Sequence, residues 1–470
     1  MTGAGGTMTG LTRTVAAFVT ETTYADLPDD VVQIAKRCMV DGLGVMLAGS
    51  REPCALIARR HAASFGGKAE ARTLGAGSVG LPAPLAALAN GIAGHALDWD
   101  DTALSLEPDR TVLIHPTMQP LCAALAVGDL LGVSGRDMLT AFVLGFEAQV
   151  KIAETMGADH FIYGRGFHTT GTIGVFGATV TASRLMGLST EQTVHAIAIA
   201  ATMSSGLGEN HGTMAKPLNM GHAVESGVSA ARLASMGFDG PATALEGERG
   251  FFATFGGGHD PSRMRGRLGD PWAIISPGTS VKPYPSGVVG HPGMDAMKAL
   301  VSEHEVRPEE IARIVVRTGP SVIRPGPLRI AHAHTALEGK FCVAFQMAAI
   351  ALRRKAGLAE FSDEFVASPV CQDMQGRVEV SIAQHIADLG KDRVVFEIDV
   401  LTTDGRTLTA KSEEHYRGGP RNPLTWDELC DKFRDCADPV LAPDRQTGIL
   451  DMLSRLEEVR EVRDLVTLAC

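Results

Sequence analysis

What is scarce in this chain narrows its chemistry before any motif is read. Aromatic residues make up only 5% of the 470 residues, so the core must be built largely from smaller side chains. Eight cysteines are scattered without a single CxxC pair, which removes zinc ribbons, thioredoxin-like redox centres and the usual iron–sulfur spacings. Reduced thiols in a cytoplasmic protein are the expectation. No apolar run reaches the roughly 18 residues of a membrane span. The best, Pro120 to Leu131, is short and holds Asp129, so no membrane partner is expected. Residues 1–14 lack a charged segment followed by an apolar run, so no secretory leader is expected either. Basic charge is also in deficit: 43 Lys and Arg stand against 54 Asp and Glu, a net charge of −11 that argues against a nucleic-acid partner.

Glycine, at 53 residues, is abundant instead. It does not build a phosphate loop. Gly256-Gly257-Gly258 has no strand-turn-helix context, and the GxxxxGK[ST], GxSxG and HExxH patterns are absent. The glycines read as contact points between helices. Residues 81–96, 119–131, 170–186 and 223–236 are dense in Ala, Gly, Ser and Thr, as helices with closely approaching backbones would be. Residues 27–47 carry apolar positions at i, i+3, i+4 spacing, with Asp29 and Asp30 at the end that favours acids. Ser134 with Asp137 and Ser189 with Gln192 have capping-box spacing at the heads of helices predicted over 138–155 and 194–203.

Beyond a crossing punctuated by Pro271, Pro277, Pro283 and Pro285 the texture changes. Strands are predicted at 313–318, 377–382, 393–401 and 407–411, the last two flanking the hairpin signal Asp404-Gly405. Helices over 291–304 and 340–356 lie among them, and helix returns from Trp426 onward. The fold class is therefore mainly α with an inserted α+β domain. A large all-helical domain takes residues 1–274, a smaller domain 275–417, and C-terminal helices over 418–470 rejoin the helical domain.

Five runs set polar side chains among small or apolar ones. Gly94 to Thr102 holds Asp98, Asp100 and Asp101 after a nearly uncharged helix, and buried acids cost several kcal/mol unless paired. The same run also suits a solvated helix end or a cap. A metal–diphosphate role would need a second acidic motif on a facing helix; none is present, so no metal is expected. Leu113 to Thr117 and Gly164 to Gly171 each place a histidine, His115 and His168, at the head of an apolar helix. There the dipole attracts anions and depresses an imidazole pKa, although either alone would pass for a satisfied structural histidine. Gly208 to Pro217 sets Lys216 among small and apolar residues, where a surface lysine on a loop is the plain alternative. Val281 to Gly287, with Gly290 to Pro292, brings Lys282 and His291 to the crossing, which alone reads as a rigid linker. Together these side chains suit a small anionic di- or tricarboxylate. Lysines and helix N–H groups hold carboxylates, and a histidine moves a proton on a neighbouring carbon. No cofactor motif accompanies them.

At these residues the chain resembles the MmgE/PrpD family, which includes 2-methylcitrate dehydratase, cis-aconitate decarboxylase and iminodisuccinate epimerase. The resemblance spans nearly the whole chain. It rests on Asp98 to Thr102, His115-Pro116, Gly166-Phe167-His168 with Gly171, Lys216-Pro217-Leu218, Gly221 to Ala223, Leu245-Glu246-Gly247 with Gly250-Phe251, and Lys282-Pro283-Tyr284-Pro285. It implies a helical domain capped by the α+β insert as a lid, a homodimer, and chemistry without metal or organic cofactor. It also implies active-site positions for Asp98, Thr102, His115, His168, Lys216 and Lys282. Three departures from the decarboxylase branch stand out: a longer loop over Ala103 to Ile114, Gly287 where that branch has a histidine, and Phe345 where it has a lid tyrosine. They weigh against cis-aconitate decarboxylation and leave dehydration and epimerisation open.

The leading expectation is a cofactor-independent lyase of the dehydratase type acting on a hydroxy-polycarboxylate. His115 and His168 form its acid/base pair, Asp98 orients an imidazole, and Lys216 and Lys282 bind carboxylates, with Thr102 and His291 beside the substrate. The alternatives are an epimerase of an imino- or amino-dicarboxylate, a decarboxylase of an aconitate-like acid, and a catalytically silent carboxylate-binding protein.

Overall fold

Helices form where small, helix-favouring residues cluster, and the computed structural model describes them over residues 10–107, 110–156, 160, 164–323, 326–390, 393–413 and 415–470. α1 (Leu11–Glu21) and α2 (Asp29–Gly49) open the helical body, α2 carrying Asp29 and Asp30 in its first turn as its dipole favours. α3 (Pro53–Ser64) and a short ladder of β1 (Ala71–Arg72) with β2 (Gly80–Leu81) lead into α4 (Ala83–Ala96). α5 (Met118–Leu131) and α6 (Gly135–Met156) follow, α6 headed by the reciprocal bonds between Ser134 and Asp137. The helix predicted over 170–186 is two, α7 (Thr169–Thr172) and α8 (Gly174–Leu185). α9 (Thr190–Met203) starts on the Ser189–Gln192 capping box. α10 (Ala215–Ser235) starts well before the predicted residue 223, which places Lys216 in its first turn.

The segment between Thr102 and His115 is not the expected loop. It is an antiparallel hairpin of β3 (Ala103–Glu107) and β4 (Arg110–Ile114). Ala103, Val112 and Ile114 are fully buried in the body core, whereas Leu104 packs against the second core. Strand alternation thus gives one small hairpin a face on each domain.

Two hydrophobic cores divide the chain. One runs from Leu11 to Val281 and takes in Leu424 to Ala469; the other runs from Tyr284 to Val400. The second core lies around a sheet ordered β6-β5-β7-β8, made of β5 (Ile311–Thr318), β6 (Val378–Ile382), β7 (Phe396–Thr402) and β8 (Thr407–Lys411). β5 and β6 are parallel, so the chain needs a crossover between them. Helices α12 (Ala336–Gly339), α13 (Val343–Arg353), α14 (Asp363–Val366) and α15 (Pro369–Gly376) supply it. α11 (His291–Glu303) precedes the sheet, and α16 (Gln384–Ala387) follows β6. The tail, α17 (Trp426–Ala437), α18 (Pro443–Ser454) and α19 (Val462–Leu468), returns to the body, where Gly44 of α2 approaches Phe433 of α17. All eight cysteines are free, and no helix among the described residues is long and apolar enough to cross a membrane.

The glycine excess has its clearest use where α4 crosses α10. A Cβ on Gly91 would stand 2.9 Å from the Cα of Gly221, and one on Gly221 would stand 2.6 Å from the carbonyl oxygen of Leu88. Ile92 also crowds Gly221, at 2.5 Å, but the backbone contacts remain even if that side chain yields. Gly221→Ala is expected to destabilise the protein, measured by urea unfolding. Helix propensity alone would add about 1 kcal/mol, and separating the helices costs about 1–3 kcal/mol. A net gain in stability would show that the crossing has slack.

Candidate active site

Helix α4 ends beneath the lid, and the carbonyls beyond its C-terminus need donors. Three buried lysines provide them from three distant parts of the chain. Lys340 of the lid donates to the Leu97 carbonyl (2.8 Å), Lys282 of the crossing to that of Asp98 (2.7 Å), and Lys432 of α17 to that of Trp99 (3.0 Å). Lys432 also pairs with Asp41 at 2.5 Å, and the Trp99 indole donates back to the Lys282 carbonyl. Within this turn Asp98 has a φ of +52°, a left-handed conformation that aspartate tolerates better than most residues.

The Asp98 carboxylate lies 2.6 Å from Lys216 Nζ and 3.4 Å from Lys282 Nζ. Burial opposes its charge, but Lys216 and Lys282, then His115 and His95, outweigh burial and hold its carboxyl well below the usual range. Lys216 Nζ is also 2.8 Å from His95 Nε2. His95 Nδ1 in turn lies 2.9 Å from Asp100 Oδ2, and His115 Nδ1 lies 3.0 Å from the same oxygen. Burial lowers His95 to about 3, so it stays a neutral link between an ammonium and a carboxylate. His115 Nε2 is 3.9 Å from Asp98 Oδ1. Asp101, pushed up to about 7 by burial, takes hydroxyls from Thr117 (2.7 Å) and Thr279 (2.6 Å) and ties the crossing to the head of α5.

His168, at the head of α7, accepts at Nδ1 from the Asn219 amide (2.9 Å), which leaves Nε2 to carry the proton. Burial, with His211 and Lys216 nearby, holds its pKa well below the ordinary value. The backbone of Thr102 pairs with Ser280, and the buried Thr102 hydroxyl has no hydrogen-bond partner among the described residues.

These groups face one cavity of about 400 Å³ between body and lid. Asp98, Thr102, His115, His168, Lys216 and Lys282 all line it. His291 does not. Its Nε2 is 3.2 Å from the Ser286 carbonyl and its ring stands edge-on to Tyr284, so it braces the crossing from behind. Two other expectations also change. Asp100, not Asp98, is the carboxylate held against an imidazole. Phe345 sits in the lid core against Phe361, while the lid residues that reach the cavity include Phe341 and Arg329. Gly287 lines the wall with no side chain. Sequence reasoning missed Asn219, Arg329, Phe341, Lys340 and Lys432, whose roles depend on contacts remote in sequence. His95, Asp100, Arg165 and His211 lay inside the polar runs without being singled out.

His95, Asp98, Asp100 and His115 bring one ligand atom each to within 4.8 Å of one another, a set that could hold a metal ion. The Lys216 ammonium already stands within hydrogen-bond reach of two of the four.

Residues 13–264 match the MmgE/PrpD N-terminal domain and residues 284–458 the MmgE/PrpD C-terminal domain. The chain belongs to the MmgE/PrpD family. It is 30% identical over 454 residues to cis-aconitate decarboxylase of Homo sapiens, covering 94% of this chain and 91% of that protein. It is 24% identical over 488 residues to cis-aconitate decarboxylase of Aspergillus terreus, covering 98% of this chain and 96% of that protein. The similarity of this MmgE/PrpD chain to these relatives covers both domains.

The buried imidazoles of this MmgE/PrpD protein favour loss of stability in acid. Burial lowers His95 and His291 to about 3 and His160 and His211 to about 4, and His168 is also depressed. In the unfolded chain each would protonate near 6.5. The unfolded state therefore binds more protons below that pH, and stability falls with acid. Asp101 and Glu147, both raised to about 7 by burial, act in the opposite sense, as do Asp41, Glu52, Asp295 and Asp435 over a lower range, whereas Asp98 and Asp100, held well below the usual range, act with the histidines. The melting temperature is expected to fall steadily from pH 6.5 to pH 4 in thermal scans. A flat or rising profile contradicts this balance.

Proposed function

We propose that the protein is a cofactor-independent lyase that acts on a small, aconitate-like polycarboxylate by moving a proton at a carbon next to a carboxylate. The observation that carries this reading is the pair of differently prepared imidazoles on one cavity. His115 Nδ1 lies 3.0 Å from the Asp100 carboxylate, which favours the proton on Nδ1 and leaves Nε2 with a lone pair. His168 has Nδ1 occupied by Asn219, so Nε2 presents N–H. One face of the cavity thus accepts a proton while another donates a hydrogen bond.

In the dehydration reading, His115 Nε2 takes the proton from carbon. The C–H electrons form the new double bond as the C–O bond breaks. The hydroxide leaves as water with a proton from the Lys216 ammonium, whose pKa is lowered by burial against the pull of Asp98 and Asp100. Lys216 is hydrogen-bonded to His95 and His95 to Asp100, and His115 Nδ1 lies 3.0 Å from that carboxylate, so a series of close contacts joins the group that loses a proton to the one that gains it. His168 Nε2–H and the unpartnered Thr102 hydroxyl stabilise the negative charge that builds on the carboxylate. Asp98 fixes both lysines. No metal enters this scheme, because the ammoniums supply the positive charge beside Asp98.

Decarboxylation is the second reading, supported by the relatives named cis-aconitate decarboxylase. There the C–C electrons would be left on carbon and a proton delivered to it. Gly287 leaves the cavity one imidazole poorer than that branch's pattern, which favours dehydration here.

Proton NMR in D2O with cis-aconitate, citrate and 2-methylcitrate separates the outcomes: water loss, carbon dioxide loss, or deuterium uptake alone as an epimerase would show. Dehydration of a hydroxy acid, undiminished by exhaustive chelation, is the expected result. His115→Gln should lower kcat by about 10²- to 10⁴-fold with little change in melting temperature; a fully active variant would remove His115 from its role. Asp98→Asn keeps a residue type that accepts positive φ and is expected to fold, yet to lose nearly all turnover as Lys216 and Lys282 lose their shared counter-ion.

A further inference from the structure

We infer that the cavity carries a second, outer carboxylate site formed by Arg165 of the body and Arg329 of the lid, which selects substrates with three carboxylates over those with two. The inference rests on the carboxylate-lyase reading and extends it to substrate class. It begins from a charge count along the cavity. At the inner end, Lys216 and Lys282 are already committed to Asp98, and Asp100 lies directly behind. Two ammoniums meet two carboxylates, and His168 and His211 are held neutral by burial. The fixed charges of the inner end therefore cancel in pairs, which suits charge that develops during reaction better than capture of a polyanion.

Among the described residues, the least compensated positive charge of the cavity is at its exposed mouth. Arg165 and Arg329 both line the cavity. The Arg165 guanidinium donates to the neutral carbonyl of Thr254, and no carboxylate among the described residues lies within ion-pair distance of it. Arg329 has Glu209 at 3.9 Å, but that carboxylate is 92% exposed. So long and solvated a pair is worth little and yields readily to a better-placed carboxylate. Guanidinium groups take carboxylates through two parallel hydrogen bonds. The same cavity is also lined by the apolar side chains of Phe167, Val288 and Phe341, against which a carbon skeleton can pack. A substrate reaching from Lys216 to the arginines needs a carboxylate at each extremity and one at the reacting carbon. Because Arg329 belongs to the lid and Arg165 to the body, such a carboxylate would also bridge the two domains.

The test measures binding without turnover. Propane-1,2,3-tricarboxylate has neither hydroxyl nor double bond, and methylsuccinate is the same skeleton with one terminal carboxyl removed. Calorimetric titration of the intact protein should show tighter binding of the tricarboxylate. Arg165→Gln and Arg329→Gln should each weaken the tricarboxylate by about 10- to 100-fold, the range for losing one charge-assisted pair. Methylsuccinate binding should change less than about twofold. Glu209→Gln should tighten the tricarboxylate, because it frees Arg329. A tricarboxylate-to-methylsuccinate ratio that both arginine variants leave unchanged overturns the proposal, as does a wild-type protein that binds neither acid. The lyase reading fails separately. If no acid in the NMR panel reacts yet the arginine-dependent ratio holds, the outer site stands and the chemistry assigned to the inner end falls.

Discussion

The rest of the site depends on how one helix ends. Where α4 stops under the lid, three successive carbonyls, those of Leu97, Asp98 and Trp99, are each taken by a buried lysine. Burying one ammonium costs several kcal/mol unless its hydrogen bonds and charge are answered. Here each faces a carbonyl just past the negative end of the helix, and two of the three also face a carboxylate. The lysines come from the crossing, the lid and the tail. A single turn thus records whether all three regions are in place, and the left-handed Asp98 at its centre is held by contacts that no local segment could supply.

Legibility in the sequence followed the range of the contacts. Periodicity, capping boxes and the Asp404-Gly405 turn act over a few residues, and the helices and lid strands they signal are present with modest shifts at their ends. The runs around Asp98, His115, His168, Lys216 and Lys282 were readable because polar groups embedded among apolar ones need partners, and those five residues share the cavity wall. The hairpin over 103–114 was not legible. Its strands are short and lie between two helices, and their alternation has meaning only once body and lid supply the two surfaces they face. Lys340, Lys432 and Arg329 resemble ordinary lysines and arginines in sequence. Only the fold shows that the first two are buried against carbonyls and the third turns into the cavity.

The net charge of −11 described the surface, not the pocket. Inside, charge is arranged in layers. Balanced ammonium–carboxylate pairs lie deepest, neutral imidazoles come next, and guanidinium groups stand at the mouth. Each layer suits a different demand. Pairs keep their geometry as charge moves during a reaction, neutral imidazoles can present either a lone pair or an N–H, and guanidinium groups make the long-range field that an approaching anion meets first. The glycines have a parallel role in the body, where the α4–α10 crossing brings two backbones together and so fixes the wall from which Lys216 meets His95.

The lysine from α17 adds an ordering in time. Lys432 meets a carbonyl 333 residues earlier in the chain. On a ribosome those residues emerge tens of seconds apart, on the order set by synthesis at roughly 5–20 residues per second. The helices of the body can gather around their glycine contacts long before then, but Asp41 and the Trp99 carbonyl wait for a cation that the chain has not yet made. The turn that carries Asp98 is therefore completed late in synthesis. A chain that stops short of α17 holds every residue that lines the cavity but lacks the lysine that completes this turn.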